Sequence, residues 1–260
     1  MPLHRGAVDL YTPSQPAAER SLRMQAAHRA PTLIDVALPG QGILRDVALV
    51  IGFSLLVTVF AQIAVKLPFT LVPITGQTLA VLLTGGALGA RRGAASLGLY
   101  AVWGTIGIPV FAPSSASLEG ELVHFIFPWE GFADPVWAIT GGGYIVGFIA
   151  AAYVVGWLAE RGWDRGRYVL VAMLAGNALL YVPGLLWLGY VISSGVLNDT
   201  LAAQFGLESF DLAEAITGVN TLDKTLVGGL YPFIVGDLVK LYIAAVALPG
   251  AWALIGRRRS

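Results

Sequence analysis

The sequence predicts an all-α, polytopic membrane protein built as a bundle of six transmembrane helices. Three observations carry this prediction. Of 260 residues, 56% are hydrophobic and only 12% are charged, about half the charged fraction of an ordinary soluble domain. The apolar residues gather into six runs close to the ~20 residues that a helix needs to cross a ~30 Å hydrocarbon core. With six spans drawn, all thirteen arginines fall on one side of the membrane. Helices are preferred because lipid offers no partner for backbone N–H and C=O groups, and the runs do not alternate as barrel strands would. A soluble helical protein of this composition would have too little polar surface to stay dissolved.

The first span covers about 47–65, between Arg45-Asp46 and Lys66. The second, about 74–90, stops at Arg91-Arg92, and the third, about 93–109, stops at Pro109. Both are short and rich in small residues. The fourth, fifth and sixth cover about 139–159, 168–192 and 226–255. Arg5, Arg20, Arg23, Arg29 and Arg45 precede span one, and Arg91 and Arg92 lie between spans two and three. Arg161, Arg165 and Arg167 lie between spans four and five, and Arg257, Arg258 and Arg259 follow span six. The positive-inside rule then makes both termini cytoplasmic.

Residues 1–42 carry five prolines (Pro2, Pro13, Pro16, Pro31, Pro39) and no long apolar run. They read as a cytoplasmic tail, partly disordered, without the apolar core of a signal peptide. The two long outer segments are acidic. Segment 110–137 holds Glu119, Glu121, Glu130 and Asp134, with Phe127, Trp129 and Trp137 suited to the headgroup level. Segment 193–225 holds Asp199, Glu208, Asp211, Glu214 and Asp223. Asp211-Leu212-Ala213-Glu214 resembles a capping box, and Gly218 is a helix stop. Segments this long are often lids or binding loops.

Several functions are disfavoured. Balanced charge (16 basic, 16 acidic) advertises no nucleic-acid partner. Absent Cys and three scattered His (His4, His28, His124) argue against a metal centre. No Walker A loop is visible, and no nucleophile–base–orienter set suggests turnover. Neither a cofactor nor a catalytic residue is expected.

An ionisable group within a span costs roughly 3 kcal/mol and is a functional candidate by default. Asp237 and Lys240 in span six, at i and i+3, share a helix face. They offer an acceptor and a charged donor side by side, about halfway along that span. A ligand giving N–H to Asp237 and accepting from Lys240 fits this chemistry. A structural ion pair or an ion pathway also fits. Gln77 opens span two, where free helix N–H groups add donors, although Thr75 there can equally be a simple cap. Thr140-Gly141-Gly142-Gly143-Tyr144 opens span four, either for close approach to a ligand or for helix packing. Asn177 and Tyr181 share a face of span five, toward a ligand or toward another helix. Spans two, four and six all begin at the outer face, so these groups describe a pocket open to the outside. Tyr100, Tyr144, Tyr181 and Trp187 could stack on a ring there.

These segments resemble a known family. Pro73-Ile74-Thr75-Gly76-Gln77-Thr78-Leu79 is similar to P-[IV]-T-x-Q-[TN]-L, followed by Gly89-Ala90-Arg91-Arg92-Gly93-Ala94. Gly104 to Ala112 resembles G-x-x-G-[LI]-P-V-F-A. Thr140 to Phe148 resembles T-G-G-Y-L-x-G-F with one extra Gly. Gly184 to Leu188, and Pro232 to Lys240 with its Gly236-Asp237, complete the set. In this order, over about 47–255, the chain resembles BioY, the biotin-specific S component of energy-coupling factor (ECF) transporters. Ala90 and Val235 stand where Pro is frequent, segment 113–137 is longer than usual, and the 1–42 tail is extra.

The resemblance implies a six-helix S-component bundle in a prokaryotic inner (plasma) membrane. Its outward pocket would take biotin, with Gln77, Asp237 and Lys240 among the pocket residues. It also implies an ECF transmembrane T subunit and ABC-type ATPases as partners, with Ala48 and Gly52, or Ala61 and Val65, spaced for the T-subunit face. An S component for another vitamin, a solitary proton-coupled carrier using Asp237, and a membrane-embedded enzyme are the rival readings.

Overall fold

The structure is a computed structural model in which residues 30–66, 72–113 and 122–257 are described. Most of the 1–42 tail, the acidic residues Glu119 and Glu121, and the terminal Arg258 and Arg259 lie outside the described residues. Helix α1 (Leu33–Ala37) lies within the segment read as tail. Thr32 caps it by accepting from the Asp35 backbone N–H at 3.4 Å.

The remaining helices are α2 (Ile43–Ala61), α3 (Gln77–Leu88), α4 (Ala90–Thr105), α5 (Gly142–Ala159), α6 (Val169–Ser194), α7 (Asn198–Phe205), α8 (Leu212–Ala215), α9 (Thr221–Gly229) and α10 (Ile234–Arg257). Four of them (α2, α5, α6 and α10) are long and apolar enough to cross a membrane. Spans two and three appear as the shorter α3 and α4, of 12 and 16 residues. The reason is local. Ile74–Thr75, read as the start of span two, is a strand. Gly89 then turns the chain between α3 and α4 at φ 82°, where an added Cβ would lie 2.7 Å from Glu160 Oε1. Only glycine fits both that backbone and that space.

The all-α expectation needs a second correction. Strands β1 (Ile63–Val65), β2 (Ile74–Thr75) and β3 (Val123–Phe125) form an antiparallel sheet in the order β2-β1-β3. Ala64 stands opposite both Thr75 and His124. The apolar run of span one thus leaves the helix after Ala61, because a short β-branched apolar stretch suits either structure. Span six is also divided: α9 and α10 are separated at 230–233, beside Pro232, which has no N–H to donate.

The core lies around α5, which packs against α3, α4 and α6. Leu82, Ala151, Val155 and Met173 are fully buried there. Small residues bring the axes close. An added Cβ on Gly147 of α5 would lie 2.5 Å from the Leu180 carbonyl oxygen of α6, so the two backbones touch through glycine.

The arginine end is tied by charge. Asp35 accepts from Arg92 Nη2 at 2.7 Å and from Arg45 Nη1 at 3.2 Å, and Arg92 Nη1 also reaches Asp46 at 3.2 Å. Arg165 stacks over Trp252 at 3.7 Å, and Trp252 Nε1 donates to Asp164 at 2.5 Å. Burial alone would raise the Asp35 carboxyl. The hydrogen bonds from Arg92 and Thr32, and the charge of Arg92, overcome it and hold the group at about 2. An unfolded Asp titrates near ~3.9, so the unfolded chain takes up this proton first as pH falls. The stabilisation is complete above about pH 5 and disappears as pH falls toward 2. Asp35→Asn should therefore lower the thermal transition by a constant amount at neutral pH, with the gap to the native chain closing as the solution is acidified toward pH 2. A gap independent of pH would refute this account.

Candidate functional site

A cavity of about 140 Å³ opens at the end of the bundle opposite the arginines. One water needs on the order of 10–15 Å³ on the same measure, so the space suits a small organic molecule. Its walls are Gln77 and Thr78 of α3, Tyr144, Ile145 and Phe148 of α5, Leu180 and Tyr181 of α6, and Asp237 and Lys240 of α10. Phe111, Phe132 and Phe233 add aromatic surface, and Leu201, Gln204 and Phe205 of α7 complete the rim.

The polar centre is built on α10. Asp237 sits in its first turn, where the positive end of the helix dipole favours a carboxylate. The backbone turn after Pro232 places it there, level with the middle of α6. Asp237 is 4% exposed. Its Oδ1 accepts from Lys240 Nζ at 2.9 Å and its Oδ2 from the Tyr181 hydroxyl at 2.5 Å. Each carboxylate oxygen keeps a lone pair, and the ammonium keeps two protons. The pair is therefore neutral overall while still able to accept and to donate. Lys240 stands in the second turn of α10 rather than midway along a single long span.

A second polar group lies at the start of α3. The Gln77 side-chain N–H₂ donates to the Tyr100 hydroxyl at 2.6 Å, and its carbonyl accepts from Thr75 Oγ1 at 2.8 Å. Thr75 also accepts from the Gln77 backbone N–H at 3.3 Å, so the cap and the cavity wall are one arrangement. Across the cavity, Tyr144 donates to the Gly229 carbonyl at 2.7 Å, and its ring meets Tyr181 edge-on at 5.9 Å. Each of these polar side chains is held by a hydrogen bond within the protein.

Five of the six residues singled out from sequence (Gln77, Tyr144, Tyr181, Asp237 and Lys240) line this one cavity. Asn177 is not among the lining residues, and its buried Oδ1 has no hydrogen-bond partner among the described residues. Of the aromatic candidates, Tyr100 is fully buried behind Gln77. Trp187 is a strut instead, donating to the Ile139 carbonyl at 2.8 Å. The glycine run divides by role. Gly141 lines the cavity, with open space where a Cβ would be, whereas Gly142 and Gly143 pack against Val136, Pro183 and Trp187.

Sequence reasoning missed the walls contributed by Phe111, Phe132, Gln204 and Phe205. Phe111 had a visible signal in the Pro109-Val110-Phe111-Ala112 stretch. The long segments 110–137 and 193–225 supply these walls, and α8 is capped by Asp211, which accepts from the Ala213 N–H at 2.8 Å. Among the described residues no group of three or more His, Cys, Asp or Glu is placed to hold a metal ion.

Comparison with known proteins points to one family. The biotin transporter BioY of Rhizobium etli is 29% identical over 211 residues, covering 78% of this chain and 90% of its own length. The biotin transporter BioY of Rhodobacter capsulatus is 31% identical over 206 residues, covering 78% and 90%. The probable biotin transporter BioY of Pyrococcus horikoshii is 29% identical over 202 residues, covering 78% and 93%. A crystal structure of the S-component for biotin from an ECF-type ABC transporter superimposes with a TM-score of 0.55. It covers 81% of this chain and 93% of that one at 16% identity, and so shares the fold. The model of the BioY family matches residues 27–257, and the chain belongs to that family.

Proposed function

We propose that this protein captures biotin from outside the cell as the substrate-binding S component of an ECF transporter. The observation that carries the reading is the buried Asp237–Lys240–Tyr181 centre facing an aromatic-walled cavity. The ureido ring of biotin has two N–H donors and one carbonyl acceptor. Asp237 takes the N–H groups, and Lys240 donates to the carbonyl. The fused apolar ring lies among Phe and Tyr side chains, the mix of apolar wall and few polar groups that small-ligand sites use. Gln77, Tyr144 and Tyr181 complete the substrate site, with Tyr181 donating to Asp237, and Asn177 lies one turn before Tyr181 on α6.

Six spans with both termini in the cytoplasm fit the placement of Arg45, Arg91, Arg92, Arg161, Arg165 and Arg167 at one end. The membrane is the prokaryotic inner (plasma) membrane. The energy comes from partners, an ECF transmembrane T subunit and ABC-type ATPases. Ala48 and Gly52 of α2 are exposed and suit a close helix contact with the T subunit, whereas Ala61 is fully buried and does not.

The test is a titration of the detergent-solubilised chain with labelled biotin, competed by unlabelled thiamine and riboflavin. Saturable sub-micromolar binding that neither competitor displaces is expected. Displacement by another vitamin, or no saturable binding, would refute the assignment.

A further inference from the structure

We propose that the outer face of the three-stranded sheet lies in the headgroup region of the bilayer, so that lipid holds one wall of the cavity mouth. The registers define two faces, since directly paired residues on neighbouring strands point the same way and successive residues point opposite ways. Ala64, Thr75 and His124 form the inner face, with Ala64 and His124 buried. Ile63, Val65, Ile74, Val123 and Phe125 form the outer face, all apolar. Val123 is 62% and Phe125 66% exposed. A sheet facing water on one side shows the reverse pattern, polar outward and apolar inward. Phe127, two residues further along, is 78% exposed and extends the apolar surface. Contiguous patches of this kind mark a protein or membrane contact.

Continuity selects lipid as the occupant. Val47, Ile51, Leu55 and Val59 form an exposed i, i+4 stripe on α2, one of the helices fit to cross the membrane. β1 begins two residues after α2 ends. Ile63 therefore prolongs the stripe, and Phe125 stands directly opposite Ile63. Lys66 follows β1, and its backbone N–H donates to the Leu122 carbonyl at 2.9 Å, which prolongs the β1–β3 pairing. An apolar sheet face with exposed aromatic side chains matches the groups found at a membrane interface. On the inner face, Thr75 bonds to Gln77, so anchoring the sheet also steadies the polar start of α3.

The chain has no Cys, so Val123→Cys and Phe125→Cys accept a thiol-reactive, polarity-sensitive fluorophore at one place each. Glu208→Cys, in an exposed acidic segment, provides the aqueous reference. In nanodiscs, lipids carrying a nitroxide near the headgroup should quench the labels at 123 and 125 several-fold more than the label at 208. Iodide in solution should do the opposite. Strong iodide quenching at all three positions would place the sheet in water and overturn the proposal. Labels protected from both quenchers would mean a protein surface, such as a second copy, covers the face, and would also overturn it. On the unmodified chain, a lipid with a photoreactive group at glycerol depth should crosslink to the peptide containing 123–127, and failure there would count equally against lipid contact. None of these readouts depends on biotin, so they stand apart from the functional assignment.

Discussion

Replacing Asp237 by Ala should weaken biotin binding by about 10²–10⁴-fold. Two hydrogen bonds to a charged acceptor are lost, at ~1.5–3 kcal/mol each, and each 1.4 kcal/mol is tenfold in affinity. The same change leaves the Lys240 ammonium without its partner at 2.9 Å. Breaking a buried pair by removing one member is destabilising by roughly 3–5 kcal/mol, so loss of folding must be separated from loss of binding. The double variant Asp237→Leu with Lys240→Met does this, because a buried ion pair exchanged for apolar residues is often neutral or stabilising. That variant should keep the thermal transition of the native chain and still bind no biotin. Tyr181→Phe should have a graded effect, since it removes one donor at 2.5 Å and leaves the charges paired. A loss of about tenfold is expected, in line with one hydrogen bond to a charged group. Near-native affinity in Asp237→Ala, measured by titration, would remove Asp237 from the site.

The residues of this centre were legible because the membrane penalises them. A lone Asp–Lys pair in an apolar run has no low-cost explanation as surface decoration, and its i, i+3 spacing already put both groups on one face. Gln77 stood out for the related reason that a polar group at a span start coincides with free helix N–H groups, and Tyr144 through the glycine run before it. Arg45, Arg91, Arg92 and Arg161 marked one end of the bundle through charge alone. The features that escaped notice are those set by backbone direction. Hydropathy cannot tell that Ile63–Val65 leaves α2 as a strand, because Ile, Ala and Val satisfy lipid, helix or sheet alike. Nor does it see that the chain breaks between α9 and α10, although Pro232 was the available signal. That break moves Asp237 from mid-span to a helix start, which changes its electrostatics without changing its neighbours in sequence. The position of Asn177 relative to the cavity was equally hidden. Asn177 shares a face with Tyr181 on an ideal helix, yet the cavity reaches only as far along α6 as Leu180 and Tyr181. The Phe111, Phe132 and Gln204 walls come from segments whose path through space has no periodic signature.

Introducing Leu at Gly147 should lower the thermal transition of the detergent-solubilised chain by about 6–12 °C. The magnitude follows from an overpacking cost at or above ~3 kcal/mol and ~2–4 °C per kcal/mol for a chain of this size. The clash is with backbone, since a Cβ there meets Leu180 O at 2.5 Å and Leu180 Cα at 2.9 Å. No rotamer relieves it, and α5 must move away from α6. Because Tyr144 and Tyr181 face each other across that helix pair, binding should fail together with stability. Gly141→Leu supplies the contrast from the same glycine-rich region. Its Cβ meets nothing within 4 Å, and the residue faces the cavity. That variant should retain the native thermal transition while its side chain occupies the space a ligand needs, so biotin binding is lost alone. The pair of measurements separates the two uses of glycine that sequence left open. At 147 the missing side chain lets helices touch, and at 141 it keeps a chamber empty. If Gly147→Leu melted like the native chain, the close contact of α5 with α6 would not be the feature that holds the tyrosines in register.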